Sequence, residues 1–429
     1  MCFVSAFGVP TGPQLRYVDN EIAALTHFNM QTFSGGGNVG CGVDPWNKIA
    51  HDPSNFKPTN LNVSNWIVSM KALGAKHAIL TAKHNCGFLL WETKTTLPSG
   101  EKYGYGVMQG GNTFPIDVVD EFVQTAIAAG LGVGFYYSTG ANMYLNRNNF
   151  EPVVKDLLPG QVNVSDAQYK AIVLAHLEEL WSRYANMLTE IWFDGGYGDF
   201  IATEVTALLA TYQPQVAIFN GFGIATSPVR WIGNEFGFGG YPIWSTGTQG
   251  SGNPNSTHFV PAGCDTTLND WDAWFFDPSA PLRSLSTLID VYQHSVGQNC
   301  VLELDFAIDT TGNVHPVQAQ LYAALGSWVR NCFGSPIARS REGGELYIPA
   351  GDMFDRFILM EDQSLGERIS SYSILVNGTV VGSGSAVGHK RIHVLPAPMN
   401  GPANVTLKLG GILPIMLRDF SAYRPCPSS

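Results

Sequence analysis

The chain has 429 residues, 45% of them hydrophobic and only 14% charged, with 10 Trp, 16 Tyr and 24 Phe. That is ample apolar material for a large core, and the length implies two domains. A net charge of −11 with no Lys/Arg run longer than two removes the electrostatic basis for binding nucleic acid or an anionic membrane, and no stretch reaches the ~20 apolar residues of a membrane span.

The opening ten residues, Met1 to Pro10, are apolar but lack a basic stretch, and read as at most the remnant of a signal peptide. From about residue 20 to 335, short β-branched or aromatic runs alternate with amphipathic segments, the pattern of βα units around a parallel sheet, barrel or open. Strands are predicted at 26–33, 76–82, 132–138, 190–194, 216–220, 229–232 and 300–306. Segment 116–129 puts Val119, Phe122, Val123 and Ala126 on one face and stops at Gly130, and 168–188 repeats Val173, Leu177, Leu180, Tyr184 and Leu188 at a helical period. After Phe333-Gly334-Ser335-Pro336 the texture changes to short runs at 345–349, 356–361, 372–377, 390–395, 404–409 and 415–420, with Asn377-Gly378 as a hairpin turn. This part reads as an antiparallel β-sandwich.

Catalytic groups on such a scaffold belong at strand ends. The run Glu190-Ile191-Trp192-Phe193-Asp194-Gly195-Gly196 ends an apolar strand in a carboxylate, and the period of two puts Trp192 and Asp194 on one face. An aromatic platform beside a carboxylate suits an oxocarbenium-like sugar transition state; Asp194 could equally cap the following segment. Glu235, in Arg230-Trp231-Ile232-Gly233-Asn234-Glu235-Phe236-Gly237, sits among aromatics and glycines whose desolvation would raise its pKa as a proton donor needs. The alternative is a solvated glutamate paired with Arg230. Lys83 as a Schiff-base lysine, or His27, His77 and His84 as metal ligands, is disfavoured: the histidine spacing matches no ligand motif, and His77 is out of phase with His84. No metal is expected. Seven cysteines without a CxxC exclude a zinc ribbon and leave disulfides open. Sequons at Asn62, Asn163, Asn255, Asn377 and Asn404 lean towards a secreted protein.

Taken together, Thr26-His27-Phe28, Phe56-Lys57-Pro58, the 73–91 stretch around Lys83-His84-Asn85-Cys86-Gly87-Phe88, the 132–138 strand, Trp192-Phe193-Asp194 and Arg230-Trp231-Ile232-Gly233-Asn234-Glu235 resemble the α-L-fucosidase family, glycoside hydrolase family 29. Ser295-Val296-Gly297-Gln298-Asn299 and Asp309-Thr310-Thr311-Gly312 extend the resemblance, which covers about residues 14–335. It implies a (β/α)8-like TIM barrel over 1–335 before the β-sandwich over 336–429, retaining chemistry on a fucosylated oligosaccharide or glycoconjugate, and no cofactor. It makes Asp194 the nucleophile and, as in the branch that cleaves α-1,3/1,4-linked fucose, Glu235 the acid/base. His27, His84, Tyr136 and Trp192 would contact the sugar, with Asn85, Arg230 and Trp231 also at substrate-binding positions. Three departures from the family stand out: Asn85 replaces a histidine, Asn38-Val39 replace an acidic-aromatic pair, and Gly263 replaces a glutamate two positions before Asp265. These departures leave open a glycosidase for L-galactose, or a non-catalytic carbohydrate-binding protein on the same scaffold. Cys41 and Cys86 also stand where the family has polar residues at one mouth of the barrel, so a bridge between them is expected, against two separate buried thiols.

Overall fold

The computed structural model describes residues 8–35, 52–270 and 273–426. Thr11 starts the first helix, α1 (Gly12–Asn20), through a capping box with Gln14. Eight strands follow: β1 (Ile22–His27), β2 (His77–Lys83), β3 (Gly132–Tyr137), β4 (Leu188–Trp192), β5 (Ala217–Phe219), β6 (Pro228–Trp231), β7 (Ala262–Thr266) and β8 (Cys300–Ala307). Each pairs in parallel with the next, and β8 pairs with β1, closing the barrel.

The connections carry α2 (Val63–Leu73), α3 (Val118–Ala128), α4 (Asp166–Arg183), α5 (Asp199–Tyr212) and α6 (Leu285–His294), and α7 (Pro316–Phe333) follows β8. Their ends follow local chemistry: Asp117 caps α3, Ser165 forms a capping box with Gln168, and Gly74 ends α2 at φ +102. Both β5–β6 and β6–β7 connections, residues 220–227 and 232–261, are described throughout and contain no helix.

Two strands depart from expectation. The first lies at Ile22–His27 rather than 26–33, because Asn29 accepts the Met30 N–H and starts a 3-10 turn, Met30–Phe33. Strand β7, Ala-Gly-Cys-Asp-Thr, has almost no intrinsic β preference and is specified by its neighbours β6 and β8.

The barrel floor is polar. His77 Nε2 lies 2.6 Å from Glu190 Oε2, and Tyr17, from α1, donates to Glu303 at 2.7 Å. All four are buried. Gly134 gives them room, since a Cβ there would stand 2.8 Å from the Glu190 carbonyl oxygen.

The C-terminal part has β9 (Ala338–Ser340), β10 (Glu345–Ile348), β11 (Met353–Glu361), β12 (Ile369–Val376), β13 (Thr379–Gly384), β14 (Arg391–Asn400), β15 (Ala403–Gly411) and β16 (Leu417–Tyr423). They form two four-stranded antiparallel sheets, ordered β9-β16-β11-β14 and β10-β15-β12-β13. Phe354, Phe357, Ile374, Val405 and Phe420 are among the buried side chains of the core. The Asn377-Gly378 turn, with φ of +48 and +84, joins β12 to β13 as the dipeptide predicts.

Two disulfides were not legible as pairs: Cys264–Cys300 joins β7 to β8, and Cys332–Cys426 ties α7 to the segment after β16. Cys86 is disulfide-bonded; Cys41, its expected partner, lies outside the described residues. The two parts also meet through Lys390–Glu21 at 2.8 Å and Arg418–Asp19 at 2.6 Å.

Candidate active site

At the C-terminal ends of the strands, a cavity is lined by Leu25, His27, His84, Tyr136, Trp192, Asp194, Glu235, Asp265 and Trp274. Six of the predicted site residues therefore meet on one wall system: His27, His84, Tyr136, Trp192, Asp194 and Glu235.

Parity explains most of this. Trp192 and Asp194 share the inward face, and Gly195 and Gly196, at φ +66 and +79, turn the chain away just after the carboxylate. His84 should face outwards by simple alternation from His77. The β2–β3 register slips by one residue between Thr81 and Lys83 and restores His84 to the barrel axis.

Tyr136 donates from its hydroxyl to Asp194 Oδ2 at 2.6 Å. Burial, and then the Asp194 charge, pushes the phenol well above its ordinary pKa, so it stays a donor. The helix-cap alternative for Asp194 fails, because the N-cap of α5 is Gly198 and no side chain caps it. Glu235 is half-buried, and its Oε2 accepts from Trp274 Nε1 at 3.3 Å.

The histidines are oriented oppositely. Asp305 Oδ1 lies 2.8 Å from His27 Nδ1, and a carboxylate can only accept, so Nδ1 carries the proton. Gln31 Nε2 lies 2.6 Å from His84 Nδ1, and an amide N–H can only donate, so the His84 proton sits on Nε2. Burial, then the charges of His27 and Lys83, keeps His84 neutral. His84, Tyr136, Trp192 and Phe219 form a stacked column, with centroid spacings of 5.3, 5.3 and 4.2 Å. Glu303 fixes that column by accepting from Trp192 Nε1 at 2.8 Å.

Three expected contacts lie elsewhere. Arg230 is buried outside the cavity lining and donates to the carbonyls of Gly250 (2.8 Å), Trp244 and Val260, which also disposes of its pairing with Glu235. Trp231 reaches the site only through its indole N–H, which donates to Asp265 Oδ1 at 2.7 Å. Asn85 accepts from Ser138 Oγ at 3.0 Å, beside the lining rather than on it. Nor do the histidines converge as ligands, since His77 is committed to Glu190. Lys83 is buried against the carbonyls of Ser138, at 2.5 Å, and Ala141.

Sequence reasoning missed Leu25 and Trp274 on the wall, and Asp305, Gln31 and Glu303 behind it. Asp265 is buried on the wall, and burial, then the Glu303 charge, pushes its carboxyl well up. The sequence makes Asp265 the next acid/base candidate after Glu235, but its strand β7 does not read as one; Asp305 and Glu303, charged residues inside a predicted apolar strand, were a usable signal. The Gly263 departure has a steric reason: a Cβ there would stand 2.5 Å from the Phe219 ring, 2.6 Å from Tyr17 Oη and 3.0 Å from Glu303 Oε1. Asn38 and Val39 lie outside the described residues.

A sequence model described as Alpha-L-fucosidase matches residues 37–332. A candidate alpha-L-fucosidase 1 of Oryza sativa subsp. japonica is 31% identical over 331 residues, 73% of this chain and 57% of that protein. The match thus spans little more than half the rice protein. Alpha-L-fucosidase 1 of Arabidopsis thaliana is 26% identical over 446 residues, covering 90% of this chain and 81% of its own length. The crystal structure of a candidate alpha-L-fucosidase from Bacteroides thetaiotaomicron VPI-5482 superposes with a TM-score of 0.85 at 30% identity, covering 98% of this chain and 100% of that one.

Proposed function

This chain belongs to the alpha-L-fucosidase family, a family of glycoside hydrolases, and from that premise we propose that it removes terminal α-linked L-fucose from oligosaccharides or glycoconjugates with retention of configuration. In the first step the Asp194 carboxylate attacks the anomeric carbon while Glu235 gives its proton to the departing glycosidic oxygen. In the second, Glu235 takes a proton from water, whose oxygen attacks the same carbon and displaces Asp194.

One observation carries this reading: two carboxylates that follow different strands line one cavity, one gripped by a phenol and the other by an indole. In its neutral form His27 keeps a lone pair at Nε2 while His84 offers an N–H there, an acceptor and a donor suited to a vicinal diol. Leu25 gives the wall an aliphatic surface suited to a C6 methyl, which favours fucose over L-galactose. The Arg-Trp-x-Gly-Asn-Glu run supports α-1,3/1,4 linkages as the preferred substrate.

Secretion is supported by the Cys264–Cys300 and Cys332–Cys426 disulfides and by five sequon asparagines that are all exposed. The test is turnover of aryl α-L-fucoside, aryl α-L-galactoside, a Lewis-type trisaccharide and 2′-fucosyllactose, with the first-formed anomer read by NMR. The trisaccharide should be preferred and α-L-fucose released first. Fucose binding without turnover of any substrate would replace the reading with a carbohydrate-binding protein.

A further inference from the structure

The connection that carries Glu235, residues 232–261, has no helix to hold it. Its own bonds fold part of it into an irregular hairpin, with Trp244 N donating to Ser251 O and Val260 N to Ser245 O, each at 2.8 Å. Arg230 at the end of β6 grips this hairpin through the three carbonyls named above.

On the barrel side Asn299 Nδ2 donates to Ile243 O at 3.0 Å and to Ser245 Oγ at 2.9 Å, and Gln14 Nε2 donates to Phe259 O at 2.8 Å; further anchors come from the β-sandwich. Glu367, just before β12, accepts from Ser245 N at 2.8 Å and from Thr246 Oγ1 at 3.5 Å, and its other oxygen is shielded from solvent. Gln363 Nε2 donates to Ser245 Oγ at 2.8 Å. Tyr241 donates to Ala386 O at 3.1 Å and accepts from Ser385 N at 2.8 Å, while the Arg391 guanidinium lies 4.1 Å over its ring. The path back to Glu235 is short. Ile243, two residues before Ser245, packs with Ile232, Ala262 and the Cys264–Cys300 bridge. Ile232 in turn stands three residues before Glu235, whose carbonyl accepts from Thr266 Oγ1 at 2.8 Å.

We propose that Glu367, seconded by Gln363 and Tyr241, is a positioning residue for the reaction: through it the β-sandwich sets the place of the loop that presents Glu235 to the leaving group. This rests on the reading of Glu235 as acid/base. Burial pushes the Glu367 carboxyl up to about 7, opposed first by the Ser245 N–H and then by the Arg230 charge, so this contact is held against a desolvation cost. Asp194 does not depend on the clamp, because it follows β4 directly and is held by Tyr136.

A displaced acid fails where protonation matters most. Full-length Glu367→Ala should lose at least about tenfold in kcat/KM on a fucosylated oligosaccharide, yet stay within about threefold on an aryl fucoside with a strongly acidic leaving group. Glu367→Gln, whose amide oxygen still accepts the Ser245 N–H, should keep most oligosaccharide activity. Tyr241→Phe, which deletes one oxygen, should show a smaller loss with the same substrate split and carries the comparison if the alanine variant does not fold. Equal losses on both substrates, or a lowered melting temperature with unchanged kcat/KM, would overturn the proposal. Glu235→Ala is measured alongside: if it splits the substrates and the clamp variants do not, only the clamp fails. If Glu235→Ala shows no split, the acid/base reading fails and takes the clamp with it.

Discussion

Replacing Tyr136 by Phe keeps the ring that stacks on Trp192 and His84 and deletes only the hydroxyl that donates to Asp194 at 2.6 Å. A hydrogen bond to a charged acceptor is worth about 1.5–3 kcal/mol, and its effect depends on how charged Asp194 is at each point. In the double displacement proposed above, the first step takes charge from the carboxylate as it bonds to carbon, so the donor stabilises the ground state at least as much as the transition state. In the second step Asp194 leaves and regains its charge, so the donor stabilises that transition state. The variant should therefore lower kcat by about tenfold to a hundredfold while kcat/KM changes by less than about threefold. KM falls in parallel, and a pre-steady-state burst of aryl alcohol appears as the fucosyl-enzyme accumulates. A loss of kcat/KM as large as the loss of kcat, without a burst, would refute this division of roles.

Asp194→Gly should lower turnover by at least about a thousandfold while the fold persists, and azide should restore aryl fucoside consumption by forming β-L-fucosyl azide; near-normal activity would remove Asp194 as nucleophile. Gly263→Ala should cost about 1–3 kcal/mol in urea unfolding, because its methyl meets Phe219, Tyr17 and Glu303 at 2.5, 2.6 and 3.0 Å. The buried His77–Glu190 pair gives a pH signature: desolvation pushes Glu190 up to about 8 and His77 down to about 4, so the folded pair holds one proton throughout that range. The unfolded chain also holds one proton between the ordinary carboxylate and histidine values, about 4.5 and 6.5, and none above, so stability should fall as pH rises from about 6.5 to 8. His77→Gln with Glu190→Gln should make the thermal-melt dependence shallower over that interval; an unchanged slope would contradict the shared proton.

Some of this site was readable because strand parity is a strict code. Trp192, Asp194 and the Gly195-Gly196 turn announce a carboxylate on an aromatic face at a strand end, and the structure puts both side chains on the cavity. The same code, applied to β6, would have excluded Arg230: Val229 packs inside the barrel, so Arg230 points outwards to the hairpin carbonyls. Adjacency to Glu235 in sequence was misleading there. His84 is the converse case, since a one-residue register slip that nothing local encodes returns it to the axis. The wall position of Asp265 and the Cys264–Cys300 bridge were hidden together, as both require β7 to be recognised, and its small and polar residues become a strand only between two formed neighbours. The Glu367 anchor depends on how the sandwich packs on the barrel, a contact between residues more than a hundred positions apart.

The central claim is that Asp194 forms a covalent bond to fucose. Incubation with 2-deoxy-2-fluoro-α-L-fucosyl fluoride tests it directly, because the ring fluorine slows both steps while the reactive fluoride at C1 lets the first proceed. Peptide mapping by mass spectrometry should find one fluorosugar ester, on Asp194, with inactivation prevented by excess fucose. An ester on Asp265 or Glu235 instead, or steady hydrolysis of α-L-fucosides with no adduct on any carboxylate, would contradict the account.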